Sequence, residues 1–324
     1  ANTYTIAFAG NKPSTASNDV KDVPDTISVT YAGKVGTLKS PSLVGWTFNG
    51  WFTAASSGKQ VKTGDTYTTV GNTTLYAHWT ANTYTVVYNG NGETSGSTAS
   101  STHTYDVAKN LTANGFAKTG HSFAGWATTD AGAVVYANSA SVKNLTTTAG
   151  GTVKLYAKWT ANKFNITFNE NYSGGKSTVK EFTYGVAGTA LAAPTRKGYN
   201  FLGWGTASTS TTASYAAGAT ITVANVNAMY NDGNGSTLYA VWETNNFQVI
   251  ITTNGHGTAS SSATEANTVS AGYYITGSTV TISTSANVGY SLEAITVTAP
   301  TSGVTLSGTG ATRTFTMPKA TVSI

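Results

Sequence analysis

The sequence has no cysteine, little charge and no long apolar run. Only 10% of its 324 residues are charged, against roughly 25% in an ordinary globular domain. The absence of cysteine excludes disulfides, zinc–cysteine sites and thiol catalysis. No apolar stretch approaches the roughly 18 residues that a membrane helix needs, so we expect no membrane insertion by this chain.

The few charges are spread thinly along the chain. The formal net charge is +5, from 18 basic and 13 acidic residues, and the only arginines are Arg196 and Arg313. Nucleic-acid and anionic-membrane surfaces normally carry clustered lysine and arginine, and no such cluster occurs here. The 36 aromatic residues (7 Trp, 18 Tyr and 11 Phe) argue against disorder. These features predict a folded chain that does not bind nucleic acid.

Two landmarks repeat along the first three quarters of the sequence. The pattern Leu-Tyr-Ala-x-Trp closes at Trp79, Trp159 and Trp242, which are 80 and 83 residues apart. An aromatic-x-Gly-Trp block precedes each of them and ends at Trp51, Trp126 and Trp204. A repeated order at nearly constant period indicates tandem modules. We predict four domains: repeat 1 (1–80), repeat 2 (81–161), repeat 3 (162–244) and a divergent last module (245–324).

The periodicity within each repeat is that of strands. In the opening segments, aromatic and branched residues alternate with mostly polar ones, as in Tyr84, Val86 and Tyr88, which is typical of half-buried strands. Asn-Gly pairs such as 89–90, 234–235 and 254–255 predict tight turns. Each repeat should therefore be a small β domain of four or five strands with at most one short helical turn.

The glycine before each Trp51-type tryptophan needs a physical explanation. On a regular strand Phe123 and Trp126 would point to opposite faces. A glycine between them leaves room for a neighbouring ring or permits a bulge that turns the tryptophan inward. We therefore expect Trp51, Trp126 and Trp204 to be buried at equivalent places, and Trp79, Trp159 and Trp242 likewise.

The last module lacks tryptophan but keeps other features of the repeats. We predict strands at 247–253, 278–284, 290–298 and 312–317. Its expected core residues are Phe247, Val249, Ile282, Tyr290, Leu292 and Phe315. Because it has no tryptophan, we expect it to be the least stable of the four domains.

Together these motifs resemble a known repeat family. An opening aromatic strand with a glycine-rich turn (88–92), a Lys-x-Gly-aromatic block before the Gly-Trp pair (118–126 and 197–204) and a closing Leu-Tyr-Ala-x-Trp-Thr are similar to the Listeria-Bacteroides repeat, also called the internalin-type B repeat. The resemblance covers residues 1 to about 244, and 314–318 resembles the end of divergent B-repeat modules. It implies an all-β fold of small β-grasp-like repeats, here a tandem array of four β domains arranged end to end.

Little in the sequence suggests catalysis. The four histidines (His78, His103, His121 and His256) are far apart in sequence, and no nucleophile, metalloprotease or phosphate-loop motif is present. We expect neither catalytic residues nor a cofactor. The densest acidic cluster, Asp19, Asp22 and Asp25, is the candidate metal site. Its spacing is wider than that of most calcium loops, so a solvated loop is the alternative.

Aromatic residues outside the repeated positions are the candidates for ligand binding, because exposed rings can stack on sugars. These residues are Trp46, Tyr136, Tyr215, Tyr230, Tyr273 and Tyr274.

The leading hypothesis is a non-enzymatic stalk or adhesin spacer on a bacterial cell surface, extracellular and either attached or secreted. The alternative is a module that itself binds, either a glycan through exposed aromatics or another protein by strand pairing. The partners that this hypothesis allows are a surface protein or glycan of the host or of a neighbouring cell, and a second copy of the chain. The opening Ala-Asn-Thr-Tyr repeats the sequence that follows Trp79-Thr80, which predicts a further repeat upstream.

Overall fold

The computed structural model describes residues 1–230 and 236–324, and nearly all of its regular structure is β. The chain divides into two compact units, Ala1–Asn162 and Lys163–Ile324. Four hydrophobic clusters form, one within each predicted domain. The turn predicted at 234–235 lies outside the described residues.

Repeat 1 is one mixed sheet in the first unit. Its strands are β1 (Thr3–Ala9), β2 (Ile27–Thr30), β3 (Trp46–Phe52), β4 (Gln60–Val61) and β5 (Thr73–Ala81). The order is β2-β1-β5-β3-β4, and the β1–β5 pair is parallel while the other pairs are antiparallel. The opening strand thus lies beside the closing strand at the centre of the sheet.

Repeat 2 completes the first unit with the same arrangement. Its strands are β6 (Thr83–Asn89), β7 (Ser95–Gly96), β8 (Ser101–Thr104), β9 (Lys109–Asn110), β10 (Phe116–Ala117), β11 (His121–Ala127), β12 (Ser141–Val142) and β13 (Thr152–Ala161). The main sheet has the order β11-β13-β6-β8, and β6 and β13 are parallel. Two short two-stranded ladders, β10-β7 and β12-β9, complete it.

Repeat 3 begins the second unit and adds a helix. Its elements are β14 (Lys163–Asn169), β15 (Ser177–Thr183), β16 (Gly188–Thr189), β17 (Tyr199–Gly205), β18 (Thr220–Ile221), α1 (Val223–Met229) and β19 (Thr237–Thr244). The main sheet is β15-β14-β19-β17, again with a parallel first and last strand. Thr222 precedes helix α1 as its N-cap, with its side chain accepting a hydrogen bond from the N–H of Asn225, and the helix buries Val226 and Met229. The all-β, tandem-repeat prediction is confirmed; the β-grasp-like assignment and the count of four domains stay predictions.

The Gly-Trp bulge forms in all three repeats. The pairing register shifts at Phe48/Gly50, Phe123/Gly125 and Phe201/Gly203. At Gly125 the φ angle is +144°, and a Cβ would lie 2.8 Å from the carbonyl oxygen of Tyr136, so only glycine fits. The bulge turns the next residue inward, and Trp51, Trp126 and Trp204 are at most 2% exposed. This part of the core prediction is confirmed.

The tryptophans of the closing strands are half-buried rather than fully buried. Each indole donates a hydrogen bond to a backbone carbonyl just after the opening strand: Trp79 to Gly10, Trp159 to Gly90 and Trp242 to Glu170, at 2.7–2.9 Å. Each therefore fastens the start of its repeat to its end, at the edge of the core.

The last module has two separate sheets. Its elements are β20 (Asn246–Ile250), β21 (Gly257–Ser262), the 3-10 turn η1 (Glu265–Asn267), β22 (Thr268–Ser270), β23 (Tyr273–Ile275), β24 (Thr279–Ala286), β25 (Thr312–Thr316) and β26 (Val322–Ser323). The orders are β22-β23-β20-β26 and β21-β24-β25. Val249, Ile282 and Phe315 are buried as expected, and Phe247 packs against them half-buried.

The prediction of a strand at 290–298 is wrong. Within the described chain this segment belongs to no strand, and Tyr290 and Leu292, which we expected in the core, are 55% and 40% exposed. Its apolar alternation favours a strand, but a strand also needs a neighbouring edge to pair with. Here only the end of the segment reaches one: the N–H of Thr298 donates to the carbonyl of Ser323 at 2.8 Å, and Ala299 forms an isolated bridge to the same residue.

The connections between successive modules are very short. One residue, Asn82, separates β5 from β6, and Asn162 and Asn245 have the same place before β14 and β20. Each closing strand therefore leads directly into the next opening strand. No helix in the described part of the chain is long and apolar enough to cross a membrane.

Candidate functional site

The junction between repeats 1 and 2 is built around its single connecting residue, Asn82. Its backbone N–H donates to the carbonyl of Gly45 (2.9 Å), and its own carbonyl accepts from the N–H of Tyr105 (2.8 Å). Its side-chain oxygen accepts from the Thr47 hydroxyl (2.6 Å), and its Nδ2 donates to the carbonyl of Thr147 (2.8 Å). Two bonds go to each repeat, so the connecting residue is held by both.

Close packing accompanies these hydrogen bonds. Gly45 has φ +75°, and a Cβ there would lie 2.2 Å from the ring of Tyr105. Real Cβ atoms do not approach carbon that closely, so the absence of a side chain at Gly45 lets the buried Tyr105 ring of repeat 2 lie against the backbone of repeat 1.

A carboxylate, Asp106, makes the other set of contacts at this junction. Its oxygens accept from the Ser17 hydroxyl (2.5 Å) and N–H (3.1 Å), from Trp46 Nε1 (3.0 Å) and from Asn144 Nδ2 (2.9 Å). The Asp106 N–H donates to Asn144 Oδ1 at 2.6 Å. Ser17 and Trp46 belong to repeat 1 and Asn144 to repeat 2. The carboxylate therefore joins the two repeats.

The electrostatics of Asp106 follow from these donors. Burial alone would raise the pKa of the carboxyl, but hydrogen bonds from Ser17, Asn144 and Trp46 favour the ionised form and hold the pKa well below its ordinary 3.8. Among the described residues no lysine, arginine or histidine forms an ion pair with it. Neutral donors alone stabilise this charge, so the junction should depend little on salt.

Part of the junction geometry recurs later in the chain. The N–H of Asn162 donates to the carbonyl of Gly120, and that of Asn245 donates to the carbonyl of Gly198, both at 2.8 Å. Asn245 also accepts from the N–H of Thr276 at 3.1 Å, which is in the last module. The pairing of a connecting asparagine with a positive-φ glycine is therefore a property of the repeat.

The structure places Trp46 at this junction. Trp46 pairs with Ala81 as His121 pairs with Ala161 and Tyr199 with Thr244. It therefore holds a repeated position, contrary to our interpretation of it as outside the pattern, and its polar edge is used by Asp106.

Tyr136 and Tyr215 also hold equivalent positions. Each exchanges two backbone hydrogen bonds with its buried tryptophan, Trp126 or Trp204. Both rings are half-buried against their cores, and burial raises the pKa of Tyr215 above its ordinary 10. The premise that they lie outside the repeated positions is wrong, because each forms the same antiparallel bridge to the tryptophan of its Gly-Trp bulge.

The remaining predicted ligand residues are dispersed. Tyr230 is half-buried and contacts Phe164 edge-on at 5.4 Å. Tyr274 is 2% exposed and donates to Ser261, so the expectation of an exposed ring there is wrong. Tyr273, at 37% exposure, presents its ring to solvent. The second unit does not gather these three into one surface patch.

The three aspartates of the candidate metal site are also not gathered. Asp19 pairs with Lys12 (2.7 Å), which lowers its pKa, and Asp22 accepts from the Ser42 hydroxyl. Over residues 1–230 and 236–324 no three His, Asp or Glu side chains are placed to hold a metal ion. This geometry favours the solvated loop for Asp19, Asp22 and Asp25.

Comparison with known proteins identifies the same three repeats that the structure shows. A family model described as the Listeria-Bacteroides repeat domain matches residues 4–78, 84–158 and 164–241. Two relatives come from Evansella cellulosilytica. One, provisionally named a Gly-rich membrane protein, is 29% identical over 271 residues, which is 82% of this chain and 28% of that protein. The other, provisionally named a membrane protein, is 28% identical over 268 residues, covering 82% and 35%. The chain thus spans about a third of their length.

Proposed function

The chain belongs to the Listeria-Bacteroides repeat family, and from this we propose that it is a spacer region of a bacterial cell-surface protein. In this role the modules project a distal functional part of a longer protein away from the cell. The names of the two relatives, both membrane proteins much longer than this chain, support a surface location. We propose that the spacer is extracellular and catalyses no reaction.

The observation that carries this proposal is the bonding of Asn82. A spacer transmits length only if its joints resist bending, and a free linker of several residues would not. Here the joint is one residue with all four of its polar groups bonded, two to each repeat. The Asp106 carboxylate adds bonds from Ser17 and Trp46 across the same junction. These contacts favour a stiff connection.

Small-angle X-ray scattering of the full chain tests the spacer. Four modules of about 80 residues in line would give a radius of gyration of roughly 35 Å, whereas one compact globule of this length should give about 20 Å by the globular scaling law. We expect the larger value. A monomer near the smaller value would remove the physical basis of the proposal.

A matched pair of insertions tests stiffness separately from length. A short Gly-Ser insertion after Asn82 should broaden the distribution of interatomic distances obtained from small-angle scattering, because it makes the connection between repeats 1 and 2 flexible. The same insertion beside Gly132, an intermediate-exposure position within a loop of repeat 2, should not. Equal scattering from both variants would show that the joint was already flexible.

A further inference from the structure

The last module contains a cleft that the spacer role does not use. It has a volume of about 340 Å³, within the range of sites for small molecules. One wall is formed by residues 251–254, which come directly after β20 in the sequence. A second wall is formed by β21 and β24, and the third by the unpaired segment 290–296. The segment predicted as a strand thus forms a wall of the cleft and belongs to neither sheet.

The floor of the cleft is apolar and its rim is neutral and polar. Ile282 is fully buried beneath it, and Ile251, Ile295 and Ile324 are half-buried beside it. Hydroxyl and amide groups form the rim, from Thr252, Asn254, Thr258, Thr284, Ser291 and Thr296. Among the lining side chains only those of His256 and Glu293 can carry charge near neutral pH.

An aromatic platform stands at the side of the cleft. The rings of Tyr290 and His256 are stacked, with centroids 4.2 Å apart and planes 9° apart. Because His256 covers one face and the tyrosine is still 55% exposed, the opposite face of Tyr290 is open. Backbone bonds from Asn287 to His256 (2.9 Å) and from Tyr290 to Asn287 (3.0 Å) hold the two rings together before any ligand arrives.

Unused polar groups of the main chain line the same wall. In the described structure, residues 291–297 form no backbone hydrogen bonds with other segments. Their N–H and C=O groups are free to bind a ligand rich in hydroxyls, and polar groups of this kind give a site its specificity. The carboxylate of Glu293 is exposed beside them.

We propose that this cleft binds a neutral carbohydrate, with one sugar ring lying on Tyr290 and its hydroxyls bonded to the rim and to the 291–297 backbone. The chemistry of the lining selects this class. A strongly charged ligand finds no cluster of opposite charge, and a purely apolar one would leave the rim hydroxyls and the free backbone unpaired. A sugar presents an apolar C–H face to the ring and hydroxyls at its edges.

The test uses the full chain on an array of printed glycans that includes neutral, sialylated and sulfated members, followed by calorimetric titration with the soluble form of the best binder. We expect neutral glycans to bind. Tyr290→Ala should weaken binding by about tenfold or more, the loss typical of truncating an aromatic anchor. Tyr290→Phe keeps the ring and should retain most of the affinity.

Tyr273→Ala is the matched control, since this tyrosine is also exposed in the last module but does not line the cleft. It should bind as the unmodified chain does. Because the Tyr290 ring is exposed, its alanine variant should fold, which thermal melting would verify; Glu293→Gln offers a second variant expected to fold and to weaken binding.

Three results would overturn the proposal: no neutral glycan bound, equal loss with Tyr273→Ala, or a preference for sulfated or sialylated glycans. If an extended peptide bound the cleft and no glycan did, strand addition along 291–297 would replace it. Scattering does not involve the cleft, so the spacer and the carbohydrate site can fail independently.

Discussion

The indole Nε1 of Trp46 donates a 3.0 Å hydrogen bond to the carboxylate of Asp106, sixty positions along the chain. One partner is in repeat 1 and the other in repeat 2. Hydrogen bonds to a charged group contribute more than those between neutral groups, and Ser17 and Asn144 share the same acceptor. The strand position of Trp46 recurs in repeats 2 and 3, and at this junction its side chain makes a specific contact with the next repeat.

Replacing Asp106 should loosen the junction. Asp106→Ala removes four accepted bonds and should cost at least about 1.5–3 kcal/mol, the contribution of a single hydrogen bond to a charged group. Hydrogen exchange with mass spectrometry on the full chain would report faster exchange at the amides of both repeats near the junction. The control is Asp25→Ala, an exposed carboxylate in the same unit, which should leave exchange unchanged.

A double-mutant cycle isolates the Trp46 contribution. Trp46→Phe removes the N–H and keeps an aromatic ring, so its coupling with Asp106→Ala measures the bond itself. We expect about 0.5–3 kcal/mol of coupling, the range for residues in contact. Additive effects of the two substitutions would contradict a direct bond.

The contribution of Asp106 to stability should also depend on pH. Since the pKa of the Asp106 carboxyl in the folded chain lies below 3.8, its stabilisation is present above that pH and is lost as the pH falls below it.

Part of this junction could be predicted from the sequence. The Gly-aromatic pairs 45–46, 120–121 and 198–199 are visible as a pattern, and aligning them would have placed Trp46 correctly. Likewise Tyr136 and Tyr215 follow their tryptophans by ten and eleven residues. The role of Asp106 could not be predicted, because Ser17 lies 89 residues away from it and no local pattern connects them.

The same contrast applies inside the modules. Period-two alternation and the Gly-Trp pair were sufficient to predict the opening strands, the closing strands and the bulge, since these depend on neighbouring residues. The segment 290–298 has the same alternation, but only its last residue reaches a neighbouring strand. Local propensity cannot show whether an edge is available, and the carbohydrate cleft proposed above comes from that difference.

Asn82 offers a second test of the junction. Asn82→Ala keeps its two backbone bonds but removes the side-chain bonds to Thr47 and Thr147, which should cost about 1–3 kcal/mol in total at the usual contribution per bond. Differential scanning calorimetry should show a lower transition for the first unit. Asn110→Ala, at an exposed strand position of repeat 2, is the control and should melt as the unmodified chain does.

The three core tryptophans differ in one respect that can be measured. Trp51 Nε1 donates to the carbonyl of Lys39 (2.9 Å) and Trp204 Nε1 to that of Leu191 (3.0 Å). Trp126 Nε1 is buried and has no partner in the described structure. A buried donor without a partner costs about 1–3 kcal/mol, so this repeat carries a penalty that the other two avoid.

Substituting phenylalanine at each site should reveal that penalty. Trp126→Phe deletes an unpaired N–H, whereas Trp51→Phe and Trp204→Phe each delete an N–H that donates a hydrogen bond, to the carbonyl of Lys39 or of Leu191. We expect the first substitution to destabilise its repeat less than the other two, by about 1 kcal/mol or more. Urea titration followed by hydrogen exchange within each repeat makes the comparison. An equal cost at all three positions would argue that water satisfies Trp126.

His103 should make the stability of repeat 2 depend on pH. It is 1% exposed in β8, opposite Tyr84, where repeats 1 and 3 have Val29 and Phe182. Its Nε2 lies 2.9 Å from the Ser101 hydroxyl, and Nδ1 has no partner among the described residues. Burial, and to a lesser extent the charge of Lys109, lowers its pKa from the ordinary 6.5.

The sign of the pH effect follows from that shift. Below about pH 6.5 the unfolded chain takes up a proton at His103 before the folded chain does, so the unfolding free energy of repeat 2 falls with a slope of up to about 1.4 kcal/mol per pH unit. Above that pH the group contributes no dependence. His103→Val, which copies Val29 of repeat 1, should abolish this loss of stability.

Hydrogen exchange between pH 7.5 and 5.5, with rates corrected for intrinsic pH effects, would measure the pH dependence of the stability of repeat 2. Repeat 3 is the internal control, because its sequence (162–244) contains no histidine. A variant whose repeat 2 lost stability as steeply as the unmodified chain would show that His103 is not the group responsible.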